Sequence, residues 1–279
     1  MRMSNSEQIL SVQSLDVCYG GAQALSDIEL SVKKGEIVGI VGESGSGKST
    51  LLKAITGLLP KTAVVSSGSI ALDGIDLLRC DDKEMCAIRG SRIGFLFQDA
   101  EGSLDPLLTI KSQFDEALNA HRKEPMDRDE RNGIQKRYLK RVGLDDTERV
   151  LNSLPSELSG GMNQRAALAM TLALSPDILL ADEPTSALDV TSQKRVMDIF
   201  RSLNAEDCLS ILIVSHDIDL IGSISDRIVV MRNGRIVEAG LTAQVMNDPL
   251  APYTRELIAA TPHMEGEVEI ETLGTCHAS

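Results

Sequence analysis

A run of glycines, hydroxyl side chains and one lysine near residue 45 has the composition of a phosphate-binding site. The stretch Gly42-Glu43-Ser44-Gly45-Ser46-Gly47-Lys48-Ser49-Thr50 fits the pattern Gly-x-x-x-x-Gly-Lys-Ser/Thr. Its glycines let backbone N–H groups approach an anion closely, at the start of a following helix. Lys48 supplies a charge for the terminal phosphates, and the Ser49 hydroxyl suits Mg²⁺. We expect a nucleotide site here; the alternative is a glycine-rich turn without a ligand.

A second pair of glycines precedes another helical run, Ala166 to Leu174. Ser159 is a typical N-cap residue, and Gly160 and Gly161 leave the first backbone N–H groups of that helix without covering side chains. The pattern is compatible with a second anion site. Taken alone, it fits an ordinary capped helix equally well.

Two adjacent carboxylates end an apolar run that begins at Ile178. In a phosphate-transfer site, Asp182 would hold Mg²⁺, and Glu183 would polarise the attacking water as a general base. The alternative is a solvated acidic pair at the end of a strand. The phosphate-binding pattern upstream favours the catalytic interpretation.

Short apolar runs precede each of these motifs and are typical of buried strands. They are Glu36–Val41, Asp177–Asp182 and Leu209–Val214. Because such runs alternate with helical segments, we expect an α/β fold with a parallel sheet covered on both faces.

Weaker patterns predict further strands. They lie at residues 9–17, 28–32, 69–72 and 92–97, with a break in the chain at 66–69. The dipeptide Asn233-Gly234 between two apolar runs predicts a hairpin.

The segment from about 99 to 157 is charged and has helical periodicity. Ile110, Phe114 and Leu118 share one predicted face, and Ile134, Tyr138 and Val142 share another. We interpret this segment as a helical insertion in one nucleotide-binding domain that covers residues 1–262. The acidic tail, 263–279, has the composition of a disordered segment.

The composition excludes several classes of protein. The 28 basic and 41 acidic residues give a net charge of −13, which disfavours binding nucleic acid through a broad basic face. No apolar run approaches the ~20 residues of a membrane span, and the N-terminus lacks the apolar core of a signal peptide. The five cysteines show no Cys-x-x-Cys pairing, so we expect reduced thiols in a cytoplasmic protein.

The three motifs, in this order, resemble the ATP-binding subunits of ABC transporters, and the resemblance covers nearly the whole chain. It implies a P-loop NTPase core of the ABC type with an antiparallel β subdomain and a helical subdomain. ATP and Mg²⁺ are the implied cofactors, and ATP hydrolysis coupled to transmembrane transport is the implied activity. Asp182 and Glu183 fall in the family's Walker B element.

Further positions match the family and acquire roles from the resemblance. Tyr19 corresponds to the ring that stacks on adenine, and Gln98 to the glutamine that senses Mg²⁺ and the membrane partner. The segment Ser186–Asp189 corresponds to the D-loop, and His216 to the histidine that contacts the γ-phosphate. In the family, Ser159, Gly160 and Gly161 complete the site of the opposite subunit.

Met162 stands where most of the family has Gln, and this difference resembles the oligopeptide, dipeptide and nickel importer subfamily. The segments Ser103–Pro106 and Ala251–Leu257 point the same way. Many members also carry a cysteine-rich C-terminal segment that could hold an iron–sulfur cluster. Beyond Tyr253 this chain has only Cys276, so we expect no such cluster.

The resemblance implies a peripheral subunit on the cytoplasmic face of the inner membrane. Its partners would be two transmembrane permease subunits, a second ATP-binding subunit in a heterodimer, and an extracytoplasmic solute-binding protein. Short peptides are the expected solute, with nickel or a metal chelate as the alternative. Two other functions compete with this one. A soluble ABC ATPase usually has two nucleotide domains or a long coiled coil, neither of which the sequence shows. An unrelated P-loop kinase or GTPase has no role for the motif at residues 158–165.

Overall fold

The computed structural model describes residues 8–98, 100–120, 122, 126–186 and 188–260. Within them, the strands are β1 (Gln8–Tyr19), β2 (Ala22–Lys33), β3 (Ile37–Val41), β4 (Ala63–Leu72), β5 (Ile75–Asp76), β6 (Ile93–Leu96), β7 (Ile178–Asp182), β8 (Ser210–Ser215), β9 (Arg227–Arg232) and β10 (Arg235–Leu241). The helices are α1 (Lys48–Ile55), α2 (Asp82–Ile88), α3 (Ala100–Ser103), α4 (Ile110–Asn119), α5 (Arg128–Arg141), α6 (Thr147–Asn152), α7 (Gly160–Leu172), α8 (Val190–Asp207), α9 (Ile218–Gly222), α10 (Thr242–Asn247) and α11 (Pro252–Ala260).

The chain divides into two compact units. Among the described residues, unit 1 takes in 8–79 and 203–260, and unit 2 takes in 80–202. The boundary after residue 202 falls inside α8. The predicted domain limits, 1–262 with a helical insertion at about 99–157, stay a prediction.

Unit 1 contains an antiparallel sheet in the order β2-β1-β4-β5. The predicted break at residues 66–69 is wrong, because β4 runs without interruption through these residues. The register between β1 and β4 shifts between Gln13 and Asp16, next to Gly68 with φ 95°. A Cβ at Gly68 would lie 2.5 Å from the Ser14 carbonyl oxygen. The glycine therefore permits a β-bulge, and the strand bends there instead of ending.

A second group of strands in unit 1 has the order β10-β9-β3-β8. Strand β3 pairs in parallel with both β8 and β9, and all the residues of β3 and β8 are buried. Burial on both faces explains the continuous apolar runs in these strands. Strands β9 and β10 form the predicted hairpin, with positive φ at both Asn233 and Gly234.

Unit 2 pairs β6 and β7 in parallel and contains the predicted helical segment. Helix α4 buries Ile110, Phe114 and Leu118, as its periodicity predicts. Helix α5 buries Gln135, Tyr138 and Leu139, and the predicted member Ile134 is only half-buried. The amide of Gln135 donates to Asp115 of α4 at 2.8 Å, so this helix pair includes a polar contact that hydrophobic periodicity does not predict.

In the described part of the chain, no helix is both long and apolar enough to span a membrane. Among the described cysteines, Cys18, Cys80, Cys86 and Cys208 form no disulfide. Asp99, Ala187, the tail 263–279 and Cys276 lie outside the described residues, as do the expectations attached to them.

Candidate active site

The predicted phosphate-binding loop joins β3 to α1 in unit 1. It passes close to β9, since a Cβ at Gly42 would lie 2.2 Å from the Met231 carbonyl oxygen. Gly47 occupies the N-cap position of α1 with φ 104° and offers no capping side chain. The N–H groups at the start of α1 are therefore not capped by this residue, as an anion site requires.

The Lys48 side chain is folded along its own loop. Its Nζ donates to the carbonyl oxygen of Gly42 at 2.6 Å and to that of Glu43 at 3.0 Å. The residue is only 4% exposed, so its stem packs inside unit 1. Ser49 and Thr50, the following loop residues, are half-buried in the first turn of α1.

Two more distant segments of unit 1 hold the outer side of the loop. The N–H of Gly234, in the β9–β10 turn, donates to the Ser46 carbonyl oxygen at 2.9 Å. The N–H of Glu43 donates to the hydroxyl oxygen of Tyr253, in α11, at 3.1 Å. The sequence predicts no role in the loop for either residue, because Tyr253 belongs to a subfamily marker and Gly234 to a turn. No local pattern links residues 210 positions apart.

His216 lies at the same edge of unit 1 as the phosphate-binding loop. Val41 and Ser215 are register partners at the ends of the parallel strands β3 and β8, so Gly42 and His216 leave the sheet side by side. His216 is exposed, and the next N–H, that of Asp217, donates to the Ser215 hydroxyl at 3.0 Å. The Asp217 carboxylate in turn caps α9 by accepting from the N–H of Leu220 at 3.0 Å.

Tyr19 ends β1 in the antiparallel sheet of unit 1. Its register partners are Ala22 on β2 and Ala63 on β4, and the tyrosine is half-buried. Both register partners are alanines, whose small side chains are compatible with a flat base stacking on the ring.

Gln98 and the two carboxylates lie at one edge of unit 2. Leu96 is paired with Ala181 at the ends of the parallel strands β6 and β7. Gln98 therefore follows β6 at the edge where Asp182 ends β7 and Glu183 follows it. Gln98 is exposed and Asp182 is buried.

Glu183 has an uncommon backbone conformation. Its φ is 44°, in the left-handed region that non-glycine residues seldom adopt. Its carbonyl oxygen accepts from both the N–H and the hydroxyl of Ser186, at 3.2 Å each. Residues held in such conformations cluster at functional sites.

The predicted motif at residues 158–165, called the signature below, lies at the start of α7, and its expected N-cap is present. Ser159 is the N-cap, and its hydroxyl accepts from the N–H of Met162 at 3.3 Å. Ser159 and Gly160 are exposed, and Gly161 is half-buried.

Arg165 links this helix start to the end of α5, a contact that the sequence analysis did not identify. Its Nε donates to the Gly161 carbonyl oxygen at 3.1 Å, and its Nη1 donates to that of Gly143 at 2.7 Å. Burial and the nearby charge of Arg195 lower the pKa of the Arg165 guanidinium.

Asp189, in the predicted D-loop, caps α8. Its carboxylate accepts from the hydroxyl of Ser192 at 2.7 Å and from the N–H of the same residue at 3.0 Å. These two hydrogen bonds lower the pKa of the Asp189 carboxyl. A Cβ at Gly161 would lie 3.4 Å from the Ser192 hydroxyl, so the start of α8, which follows the predicted D-loop, lies next to the signature within unit 2.

The structure thus places the predicted residues in two sets. Unit 1 holds the phosphate-binding loop, His216 and Tyr19, and unit 2 holds Gln98, the two carboxylates and the signature. The predicted Mg²⁺ ligands, Ser49, Gln98 and Asp182, offer hydroxyl, amide and carboxylate oxygens, which are the donors that this ion prefers. The chemistry of the donor set therefore fits Mg²⁺.

Comparisons with known proteins agree with this interpretation. The model of a family described as "ABC transporter" matches residues 25–186. The dipeptide transport ATP-binding protein DppD of Bacillus subtilis (strain 168) is 40% identical over 264 residues, covering 93% of this chain and 78% of that protein. The oligopeptide transport ATP-binding protein OppD of Lactococcus lactis subsp. cremoris (strain SK11) is 37% identical, with the same coverage of each.

A solved structure has the same fold. It is the dimeric post-hydrolysis state of the ATP-binding cassette MJ0796 bound to ADP and Pi. The TM-score is 0.75 at 34% identity, covering 84% of this chain and 98% of that one. The expected fold, a P-loop core of the ABC type with antiparallel β and helical subdomains, is confirmed. The chain belongs to the ABC transporter family and is an ATP-binding ATPase.

Proposed function

We propose that this chain is the peripheral ATPase of an importer for short peptides at the cytoplasmic face of the inner membrane. The observation that carries the proposal is the likeness to proteins named for dipeptide and oligopeptide transport, over 93% of the chain. The markers Met162, Ser103–Pro106 and Ala251–Leu257 support the subfamily that contains peptide and nickel importers, without separating the two solutes. No observation favours nickel or a metal chelate over peptides.

In the proposed reaction, the N–H groups at the start of α1 and the Lys48 ammonium bind the β- and γ-phosphates of ATP. Lys48 keeps its contact with the Gly42 carbonyl oxygen and turns its other donors to phosphate oxygens, since one ammonium has three donors. Tyr19 stacks on the adenine.

The Glu183 carboxylate accepts a proton from the water that attacks the γ-phosphorus, and the bond from this phosphorus to the β–γ bridging oxygen breaks, which gives ADP and phosphate. The fixed left-handed backbone at this residue supports a positioned base. His216 contacts the γ-phosphate from the strand beside the loop. Mg²⁺ would be held by Ser49, Gln98 and Asp182, and would neutralise phosphate charge.

The signature residues Ser159, Gly160 and Gly161 act on the nucleotide of a second subunit. The exposure of Ser159 and Gly160 at the start of α7 supports a role toward a partner. The solved relative MJ0796 is described as dimeric, which supports a two-subunit sandwich. We propose that the second subunit is a similar but distinct ATPase, and that ATP binding closes the sandwich while hydrolysis reopens it.

Two permease subunits and an extracytoplasmic solute-binding protein complete the proposed importer. The surface around Gln98 and the helices of 99–157 would receive a short cytoplasmic helix of the permease. Phe97, beside Gln98, is 46% exposed, and Leu107 is 85% exposed. Two large apolar side chains exposed on this segment support a docking role.

Affinity purification from detergent-solubilised membranes tests the proposed assembly. We expect two permease subunits and a second ATPase to co-purify with the tagged chain. Replacing Leu107 with Glu should reduce permease recovery without affecting ATP binding, whereas Leu58→Glu in unit 1 serves as an exposed apolar control. Recovery of the chain only with ribosomes or DNA, and never with membrane proteins, would refute the transport assignment.

A further inference from the structure

The C-terminal helix α11 is fixed to unit 1 by a buried carboxylate. Glu238 on β10 is 8% exposed and accepts from the N–H of Leu250 at 2.8 Å and from that of Ala251 at 3.0 Å. These residues immediately precede α11. The carboxylate therefore fixes where the helix begins, and with it the position of Tyr253.

The Tyr253 ring is held on a second side by a cation. The Arg232 guanidinium lies 4.4 Å from the ring centroid, and the tyrosine is 5% exposed. At this distance the guanidinium is attracted by the face of the ring. The hydroxyl of Tyr253 is thus held in a fixed place next to the phosphate-binding loop.

The hydroxyl and Lys48 hold the two ends of one peptide group. In the peptide between Gly42 and Glu43, the N–H donates to the Tyr253 hydroxyl at 3.1 Å and the carbonyl accepts from Lys48 Nζ at 2.6 Å. Rotation of this peptide would break both bonds at once. The close approach of Gly42 to the Met231 carbonyl leaves the backbone little room to compensate.

We infer that Tyr253 is a positioning residue for nucleotide binding, acting through the Gly42–Glu43 peptide on Lys48. The inference rests on the proposed phosphate-binding role of Lys48. Without the hydroxyl, the peptide N–H loses its acceptor, and part of the population leaves the orientation that supports Lys48. The apparent Kd for ATP then rises by the reciprocal of the competent fraction.

The test compares Tyr253→Phe with Tyr138→Phe in the full chain. The chain has three tyrosines, and Tyr138 lies in α5, outside the proposed nucleotide site. Phenylalanine keeps the ring under Arg232 and removes only the hydroxyl. We expect Tyr253→Phe to raise the Kd of a fluorescent ATP analogue about three- to tenfold, the effect typical of one net hydrogen bond. Tyr138→Phe should leave this Kd unchanged.

Turnover of the assembled complex gives a second readout. For Tyr253→Phe, KM for ATP should rise by about the same factor, while kcat at saturating ATP stays close to that of the wild type, because saturation restores the competent orientation. A Kd within twofold of the wild type would overturn the inference, even if the melting temperature fell, because that result describes a packing role alone.

Lys48→Ala in the same binding assay separates this inference from the proposed site. If Lys48→Ala loses ATP binding while Tyr253→Phe keeps the wild-type Kd, only the role of Tyr253 is refuted. If Lys48→Ala binds ATP as well as the wild type does, the phosphate-binding role of Lys48 is refuted, and the inference fails with it.

Discussion

The side chains proposed for catalysis sit on backbone that is held by its neighbours. Glu183 keeps a left-handed φ of 44° while Ser186 donates twice to its carbonyl oxygen. Such a conformation costs roughly 1–3 kcal/mol in general, so it persists only where surrounding structure imposes it. A backbone fixed in this way limits the positions from which the carboxylate can receive a proton from water.

Replacing Glu183 with Gln should nearly abolish turnover while ATP binding is kept. The change is close to isosteric and removes the base, and a general base typically contributes about 10²–10⁴-fold to the rate. Phosphate release by the assembled complex measures the rate, and a fluorescent analogue measures binding. The exposed Glu206 on α8 gives the matched control, Glu206→Gln, which should hydrolyse ATP normally. Near-normal turnover by Glu183→Gln would remove this residue from catalysis.

At single positions, the sequence predicted those features that depend on neighbours along the chain. The N-cap at Ser159 and the loop before Lys48 follow from short motifs, and both are formed in the structure. Tyr253 contacts Glu43 across 210 residues, and Arg165 contacts Gly143 across 22. Such pairs depend on how distant elements pack, and one sequence gives no signal for them.

Elements with a uniform environment were predicted best. Strands β3, β7 and β8 are buried on both faces, and each contains a run of apolar residues. Strand β4 was predicted with a break because its serines and Gly68 are typical of a turn, yet pairing with β1 outweighs that local preference. In α5 the buried Gln135 is satisfied in part by Asp115, a contact that an apolar pattern cannot reveal.

The attachment of α11 should depend on pH through Glu238. Burial alone would raise the pKa of this carboxyl, but the hydrogen bonds it accepts, including those from Leu250 and Ala251, lower it below the ordinary value. A group with a lowered pKa stabilises the fold above its unfolded pKa, near 4.5 here, and that contribution disappears as the pH falls through the folded pKa.

Urea unfolding of the wild type and Glu238→Gln measures this contribution. We expect the variant to be less stable by about 1 kcal/mol at neutral pH, since hydrogen bonds to a charged acceptor are stronger than those to an amide. The difference should shrink as the pH falls below 4.5. A difference that stays constant or grows in acid would contradict the assigned role. Glu116→Gln, at an exposed position on α4, should show no such pH-dependent difference.

At the scale of the whole molecule, one chain carries every motif but, in the proposed assembly, completes no site by itself. The exposed signature at Ser159 and Gly160 would serve the nucleotide of a partner. The net charge of −13 disfavours binding nucleic acid through a broad basic face.

The isolated chain should therefore be a poor ATPase. Donors aimed at transition-state charge typically contribute on the order of 10²-fold or more, and a monomer would lack those of the partner's signature. Specific activity measured over a range of protein concentrations, with the oligomeric state followed by sedimentation, tests this expectation. A strictly monomeric preparation that hydrolyses ATP at the rate of the complex would show that one chain completes its own site.

Peptide uptake tests the central claim most directly. A strain that lacks this gene and any redundant importer receives either the wild-type chain or Glu183→Gln, and accumulation of labelled dipeptides and oligopeptides is measured, with nickel uptake measured in parallel. We expect the deletion strain to lose peptide uptake, the wild-type chain to restore it, and Glu183→Gln to fail although the protein is present at the membrane. Loss of nickel uptake alone would show that nickel, and not a peptide, is the solute. Survival of both peptide and nickel uptake in the deletion strain would contradict the importer assignment.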